Sequence, residues 1–322
     1  MKRIAFLLVA LLLTGTVAAA RTQTVVDTHG WLSVKGIHLI DQKGQPVQLT
    51  GPSFGWHNYW HRFFNRSTVR TLAQDWQARI VRCSIGLDLD SLCYDRRPDL
   101  AYACVDSVVR GAVEQGIYVI IDFHSHKNNL PLAKRFFTDV TKKYGKLPNV
   151  LYEIWNEPTE VPWSEIKSYA QELIPVIRRN APRSIILVAT PRWDQDVDKA
   201  ADDPLTGMGN IMYSLHFYAA THKDYFRDKA RYALGKGLPL FISECAAMEH
   251  TGDGVIDMPQ WYEWMKLADE YGLSWIAWSV SDKVETCSML RPGAPSHGEE
   301  WTERDLQPWG LIARKCIRES IR

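Results

Sequence analysis

Hydrophobic and polar positions along this chain alternate between two patterns. One is a short apolar run closing on a polar residue; the other has apolar residues recurring every three or four positions. A continuous apolar run suits a strand covered on both faces, and the second spacing suits an amphipathic helix. Strands are predicted over 47–54, 80–85, 118–125, 150–157, 185–192, 211–218, 238–245 and 274–281. Helical patterns lie between them, for example over 98–116 and 164–180, and a last one falls near 306–320. Ahead of the series, residues 31–47 predict a hairpin in which WLSV and HLID flank a turn. Eight strands alternating with eight helices predict an α/β fold, a closed parallel (β/α)8 TIM barrel with a short N-terminal β-hairpin.

Polar side chains gather at one end of these strands. Arg82, His124, Asn156, Glu157, His216, Tyr218, Glu244 and Trp278 all fall toward the C-terminal ends of apolar runs. A barrel builds its active site from those ends, whereas polar groups buried at random would not favour one end of six strands.

The first twenty residues read differently. Lys2 and Arg3 precede an apolar run from Ile4 to Leu13, and Ala18-Ala19-Ala20 offers small residues for cleavage, the arrangement of a secretory signal peptide. The competing reading is a membrane anchor, but ten apolar residues fall short of the ~20 a span needs. The expectation is therefore a secreted chain, extracellular or periplasmic, beginning at Arg21, with 21–322 as one catalytic domain. The formal charge of +1 becomes −1 once Lys2 and Arg3 are lost, which leaves no electrostatic footprint for nucleic acid or an anionic membrane. A neutral polymer fits better. Thirteen Trp exceed what the core requires, and about four are expected to stack on sugar rings. Six Cys in an exported chain permit disulfides, with Cys93–Cys104 and Cys245–Cys287 as the candidate pairs.

Glu157 and Glu244 end separate strands, and two carboxylates flanking a scissile bond are the minimum apparatus of a glycosidase. Asp122 and Glu153 compete for the roles. Glu153 lies four residues before Glu157, roughly 13 Å deeper at ~3.3 Å per residue, and is expected to plug the barrel. Asp122 is expected to support His124 from below. Arg82 is the cation expected to keep Glu244 ionised, and a nearby ionised Glu244 would raise Glu157 toward the protonated form an acid needs. Asn156 is placed for a sugar 2-hydroxyl, Tyr218 for orienting the nucleophile, and His216 and His124 for hydroxyls or the leaving group. Trp278 offers an aromatic floor. A second class stays open: the HxH of DFHSH (122–126) occurs in barrel hydrolases with a catalytic metal, although Arg82 puts positive charge where that cation would sit. In the non-metal reading His126 is a rim residue. A sugar-binding barrel without catalysis is a third class, weakened by the presence of both Glu.

The segments LYEIWNEP (151–158), SLHFYAATH (214–222), LPLFISE (238–244) and SWIAWSVSDK (274–283), in this order, carry a resemblance. With GIYVIIDFHSH (116–126), 192–204, MLRPGA (289–294) and WTERDL (301–306), the chain resembles glycoside hydrolase family 5, in particular its bacterial endoglucanase (cellulase) branch, from about residue 31 to 320. The resemblance implies a retaining, endo-acting hydrolase of β-1,4-glucosidic bonds with Glu157 as acid/base and Glu244 as nucleophile, their closest oxygens about 5–5.5 Å apart. It also implies that Arg82, His124, Asn156, His216, Tyr218 and Trp278 surround the reacting sugar. Lys283 and Glu285 match positions that contact hydroxyls, and Trp193 matches a product-side aromatic. No cofactor and no metal are implied; the partner is a β-glucan polysaccharide or oligosaccharide, and the chain acts as a monomer. Relatives often carry His-Gly where this chain has Ser53-Phe54-Gly55-Trp56, and Trp where it has Cys245. These departures leave a β-mannanase, licheninase or xyloglucanase open within the family. Asn65-Arg66-Ser67 is a glycosylation sequon in a eukaryotic host alone.

Overall fold

Buried apolar runs do form the strands of the computed structural model, which describes residues 23–320; the predicted leader lies outside the described residues. β1 (Ser33–Lys35) and β2 (His38–Ile40) pair antiparallel as the expected hairpin. The next eight strands are β3 (Thr50–Phe54), β4 (Ile80–Gly86), β5 (Tyr118–His124), β6 (Val150–Glu153), β7 (Ile186–Val188), β8 (Ile211–Tyr218), β9 (Leu240–Ala246) and β10 (Trp275–Val280). They close a parallel barrel in chain order, β10 returning to β3. Helices alternate with them, including Pro98–Gln115, Trp163–Arg178 and the final Pro308–Glu319. The connection from β7 to β8 is the abbreviated one, carrying Pro191–Asp194 and Val197–Asp202 in place of a long helix.

Side-chain alternation explains why the barrel is apolar at one end and polar at the other. Ile80, Tyr118, Ile120, Leu151, Leu187, Met212, Phe241 and Ile276 form one buried cluster, completed by Leu32, Leu39 and Leu49. That cluster fills the lower barrel, and the hairpin covers it. Each such side chain contributes roughly 1.5–3 kcal/mol by burial. One pleat further along, the inward positions become Arg82, Asp122, Glu153 and Ser214, joined by hydrogen bonds or ion pairs. Val81, Val119 and Ile121 point outward into the layer beneath the helices. Strands pack closely here: a Cβ on Gly51 would lie 1.7 Å from the Ile80 carbonyl oxygen, so the β3–β4 approach requires glycine.

A bulge sets the phase of the seventh barrel strand. Ser214 pairs with Phe241 and His216 with Glu244, so β9 spends one residue more than β8 over the same rise. The same extra residue separates Ile242 and Cys245 in the pairing with β10. A bulge re-aims the side chains beyond it, and here it turns Glu244 into the barrel mouth and Cys245 outward. The expected Cys245–Cys287 disulfide is therefore not formed. Cys245 Sγ meets the Ile276 carbonyl oxygen at 3.3 Å and faces the final helix near Cys316, whereas Cys287 lines the cleft. Cys93 and Cys104 are free as well, because Cys93 sits in a turn with Asp90 while Cys104 faces the barrel near Cys83.

All six Cys are consequently expected to titrate as thiols in protein unfolded without reductant. A count two lower, with a disulfide-linked peptide pair in the digest, would contradict this separation by the barrel wall.

Candidate active site

Arg82 is where the polar layer begins. It is fully buried, and every direction of its guanidinium is used. Nε donates to Glu153 Oε2 (2.7 Å), Nη1 to Glu244 Oε2 (2.9 Å), and Nη2 to Asn156 Oδ1 (2.5 Å), with Asp122 Oδ2 at 3.1 Å from Nη2. Burial alone would lower its pKa; the charges of Asp122, Glu153 and Glu244 outweigh that and raise it further. Glu153 also accepts from Ser214 Oγ (3.1 Å), so it closes the barrel floor rather than facing the cleft.

Glu244 and Glu157 face each other above this layer. Each offers a carboxylate oxygen to a group whose members, with a His216 nitrogen, all lie within 4.8 Å of one another. That is somewhat tighter than the expected separation and far short of the ~6.5–9.5 Å an inverting pair requires. Tyr218 donates its hydroxyl to Glu244 Oε1 at 2.7 Å, so both oxygens of Glu244 are oriented. Glu157 is held by imidazoles: His216 Nδ1 lies 2.9 Å from Oε1, and His126 Nε2 lies 3.3 Å from Oε2. Beyond Glu153 the chain leaves the β6 ladder, yet Glu157 N still donates to the Ser125 carbonyl at 3.2 Å, which fixes its approach.

The electrostatics of the pair reverse the expectation. Burial pushes Glu157 up, but the hydrogen bonds from His126 and His216 outweigh it and bring the carboxyl down to about 2. Glu244 moves up, through burial first and then the facing charge of Glu157, against the pull of His216, Arg82 and Tyr218. Arg82 does not leave Glu244 low because its charge is divided among several carboxylates. His216 is raised well above the ordinary imidazole value, Asp194, Glu153 and Glu157 overcoming the cost of burial. His124 is driven well below it by burial and by Arg82.

Two cavities meet at Glu157. One, of about 580 Å³, is lined by Trp56, Trp60, His124, Trp278, Lys283 and Glu285 together with Glu244 and Tyr218. The other, of about 540 Å³, is lined by Trp193, His216, His126, Phe226 and His250. A cleft thus runs to both sides of the carboxylate pair, and four Trp border it. Trp278 stacks parallel to His124 at 5.2 Å, and Trp56 meets the same imidazole edge-on at 4.2 Å. Lys283 and Glu285 pair with each other at 2.9 Å on the rim. Trp193 is 38% exposed on a turn that its own N–H pins to the Pro158 carbonyl, just beyond Glu157. His216 borders the second cavity but is buried, with Nδ1 2.9 Å from Glu157 and Nε2 3.0 Å from Ser243 Oγ, so neither ring nitrogen is free for a hydroxyl. A further cavity of about 490 Å³, lined by Gln48, Arg79, Asp269 and Glu319 among others, lies at the opposite end of the barrel from these carboxylates.

His126, expected on the rim, touches Glu157, and Asp194 and Ser243 went unread because nothing in their local sequence marks them as partners of His216. Trp56 and Trp60 fall on the first loop; Trp56 is the aromatic at the departure from the family's His-Gly, whereas the abundance of Trp is the one signal for Trp60. The carboxylates around His216 are spaced as a cation would tolerate, but both ring nitrogens are engaged and Arg82 already supplies positive charge to Glu153 and Glu244. The donor set therefore fits an ion-pair network better than a metal centre.

Comparison with known proteins agrees with this architecture. The profile of the Cellulase (glycosyl hydrolase family 5) family matches residues 40–284. Endoglucanase A of Evansella cellulosilytica is 39% identical over 319 residues, covering 97% of this chain, and the chain spans 64% of that relative's length. A solved structure from Cytophaga hutchinsonii superposes with a TM-score of 0.89 at 39% identity, covering 92% of this chain and 97% of its own. The catalytic domain of Thermobifida fusca endoglucanase Cel5A in complex with cellotetraose does so with 0.85 at 33% identity, covering 92% and 99%. With eight barrel strands, two facing carboxylates and these matches, the chain belongs to glycosyl hydrolase family 5, the cellulase family.

Proposed function

We propose that this chain is a secreted endo-β-1,4-glucanase, acting as a monomer on cellulose chains or their soluble derivatives by double displacement with retention. The observation that carries the reading is the Glu157–Glu244 approach, within 4.8 Å, in a cleft open to both sides. An open cleft admits a chain internally, and the short spacing leaves no room for water between carboxylate and sugar. The Thermobifida fusca relative, held with cellotetraose, supports a β-1,4-glucan as the occupant.

In the first step Glu244 attacks the anomeric carbon and Glu157 protonates the departing glycosidic oxygen, leaving a glycosyl ester on Glu244. In the second, water gives a proton to Glu157 and attacks the same carbon, and Glu244 leaves. The low proton affinity of Glu157 does not disable it as an acid. Both ring nitrogens of His216 face acceptors, so His216 and Glu157 together hold one proton between Nδ1 and Oε1. Moving it onto Glu157 as the leaving group departs requires no proton from solvent. Tyr218 remains a phenol, since burial and the Glu244 charge raise its pKa, and so keeps donating to the nucleophile. Asn156 Nδ2 is buried and has no hydrogen-bond partner among the described residues, which suits a donor waiting for the sugar 2-hydroxyl.

Glu244→Ala is expected to lose turnover on every substrate and to regain it with azide, giving a glycosyl azide of inverted configuration; near-normal activity without azide would reject the assignment. Cleavage of β-1,4-glucan oligomers should exceed that of mannan oligomers of equal length at least ~10-fold in kcat/KM, about 1.4 kcal/mol, because mannose turns its 2-hydroxyl away from Asn156. Equal or faster cleavage of mannan would leave the catalytic pair standing and overturn the substrate.

A further inference from the structure

The loop after β7 contains a group that the reaction as described does not use. Arg192, Trp193 and Asp194 adopt left-handed φ values of 56°, 54° and 59° in succession. Non-glycine residues pay about 1 kcal/mol or more each for this region, so three in a row call for a compensating purpose. The turn sends its neighbours in opposite directions. Trp193 projects to the cleft, and Asp194 is buried completely beneath it. Asp194 Oδ1 accepts from Thr190 N at 2.5 Å, which fixes the carboxyl plane. Asp194 Oδ2 makes no hydrogen bond among the described residues and lies 3.4 Å from His216 Nε2.

We propose that Asp194 is a positioning residue: from behind His216 it holds the imidazole whose Nδ1 meets Glu157, and so keeps the acid's proton in place. The proposal rests on reading Glu157 as the acid/base. His216 is faced from several elements. Glu157 and, at 3.7 Å, Glu153 approach from β6 and its extension, while Ser243 Oγ stands 3.0 Å from Nε2 on β9. Asp122, Glu244 and His126 also stand near the site, as do His124 and His222, which burial holds below the ordinary imidazole value and so keeps neutral. Of the carboxylates at Nε2, Glu153 is already committed to Arg82 at 2.7 Å and to Ser214. The Oδ2 of Asp194 has no other commitment. Burial pushes the Asp194 carboxyl up, against the pull of His216 and of the Thr190 N–H, so its charged form depends on the ring 3.4 Å away, and that ion pair in turn favours the doubly protonated imidazole. The His216–Glu157 pair then retains its proton to higher pH than an isolated carboxyl would.

Asp194→Asn keeps the shape and the acceptor for Thr190 while removing the charge. The sign follows: the pair releases its proton at lower pH, so the alkaline limb of the kcat/KM profile should move down by about one pH unit. The acid limb, which belongs to the nucleophile, should stay where it is. A merely structural role would lower the melting temperature and depress activity equally at all pH values, leaving the limb in place; that result overturns the proposal. The wild-type enzyme provides a readout that does not depend on the variant folding. Nitrogen-detected NMR of the His216 ring should show both nitrogens protonated across the active pH range, and one bare nitrogen there would sink the idea. If Glu244→Ala proves azide-rescuable while the Asp194→Asn limb is unmoved, the hydrolase reading stands and this proposal alone falls.

Discussion

One guanidinium organises the mouth of this barrel. Arg82 is sealed from solvent and touches Glu153, Asp122, Glu244 and Asn156 within 3.1 Å, so the polar layer cannot be changed at one member without disturbing the rest. Removing one partner from a buried ion pair typically costs ~3–5 kcal/mol, because the other charge is left uncompensated. That cost explains why an apolar barrel floor and a crowded set of carboxylates can coexist a single pleat apart. It also explains the geometry of Glu244, the proposed nucleophile. Glu244 is pinned at one oxygen by Arg82 and at the other by Tyr218, an arrangement that restricts it to a single line of attack.

The division of labour around the carboxylate pair follows from who else each carboxylate must serve. Arg82 shares its charge with residues below, so Glu244 is not driven to low proton affinity. Glu157 receives two imidazoles and becomes the more acidic of the two. Assigning the acid role from the isolated pKa of each group would invert the proposed chemistry. Counting protons over the His216–Glu157 pair restores it, since tautomers of that pair carry the same charge.

Much of this was legible in the sequence. The eight strands, the hairpin and the limits of the three helices over 98–116, 164–180 and 306–320 follow from apolar periodicity, and the polar strand ends point to one face of the barrel. Asn156 and Tyr218 could be placed because each closes an apolar run, whereas Arg82, expected at a strand end, is the third residue of β4 and sits a layer inside the barrel. The bulge in β9 could not be read, since nothing in ISEC signals an extra residue until Ser214 and His216 are seen opposite Phe241 and Glu244. That one residue decides that Cys245 faces the helices, which is why it does not meet Cys287 in the cleft. Asp194 and Ser243 escaped for a related reason. Their importance lies in contact with a His on another strand, and such contacts are set by barrel closure rather than by local pattern.

In the proposed reaction Glu244 forms a covalent bond to the sugar while Glu157 moves the proton. Incubation with a 2-deoxy-2-fluoro cellobioside bearing a good leaving group tests it most directly, since the fluorine slows release of the glycosyl ester. Intact-mass measurement should show one added glycosyl unit, and peptide mapping should place it on Glu244. A label on Glu157, or product formed with inversion and no trapped adduct, would contradict the account.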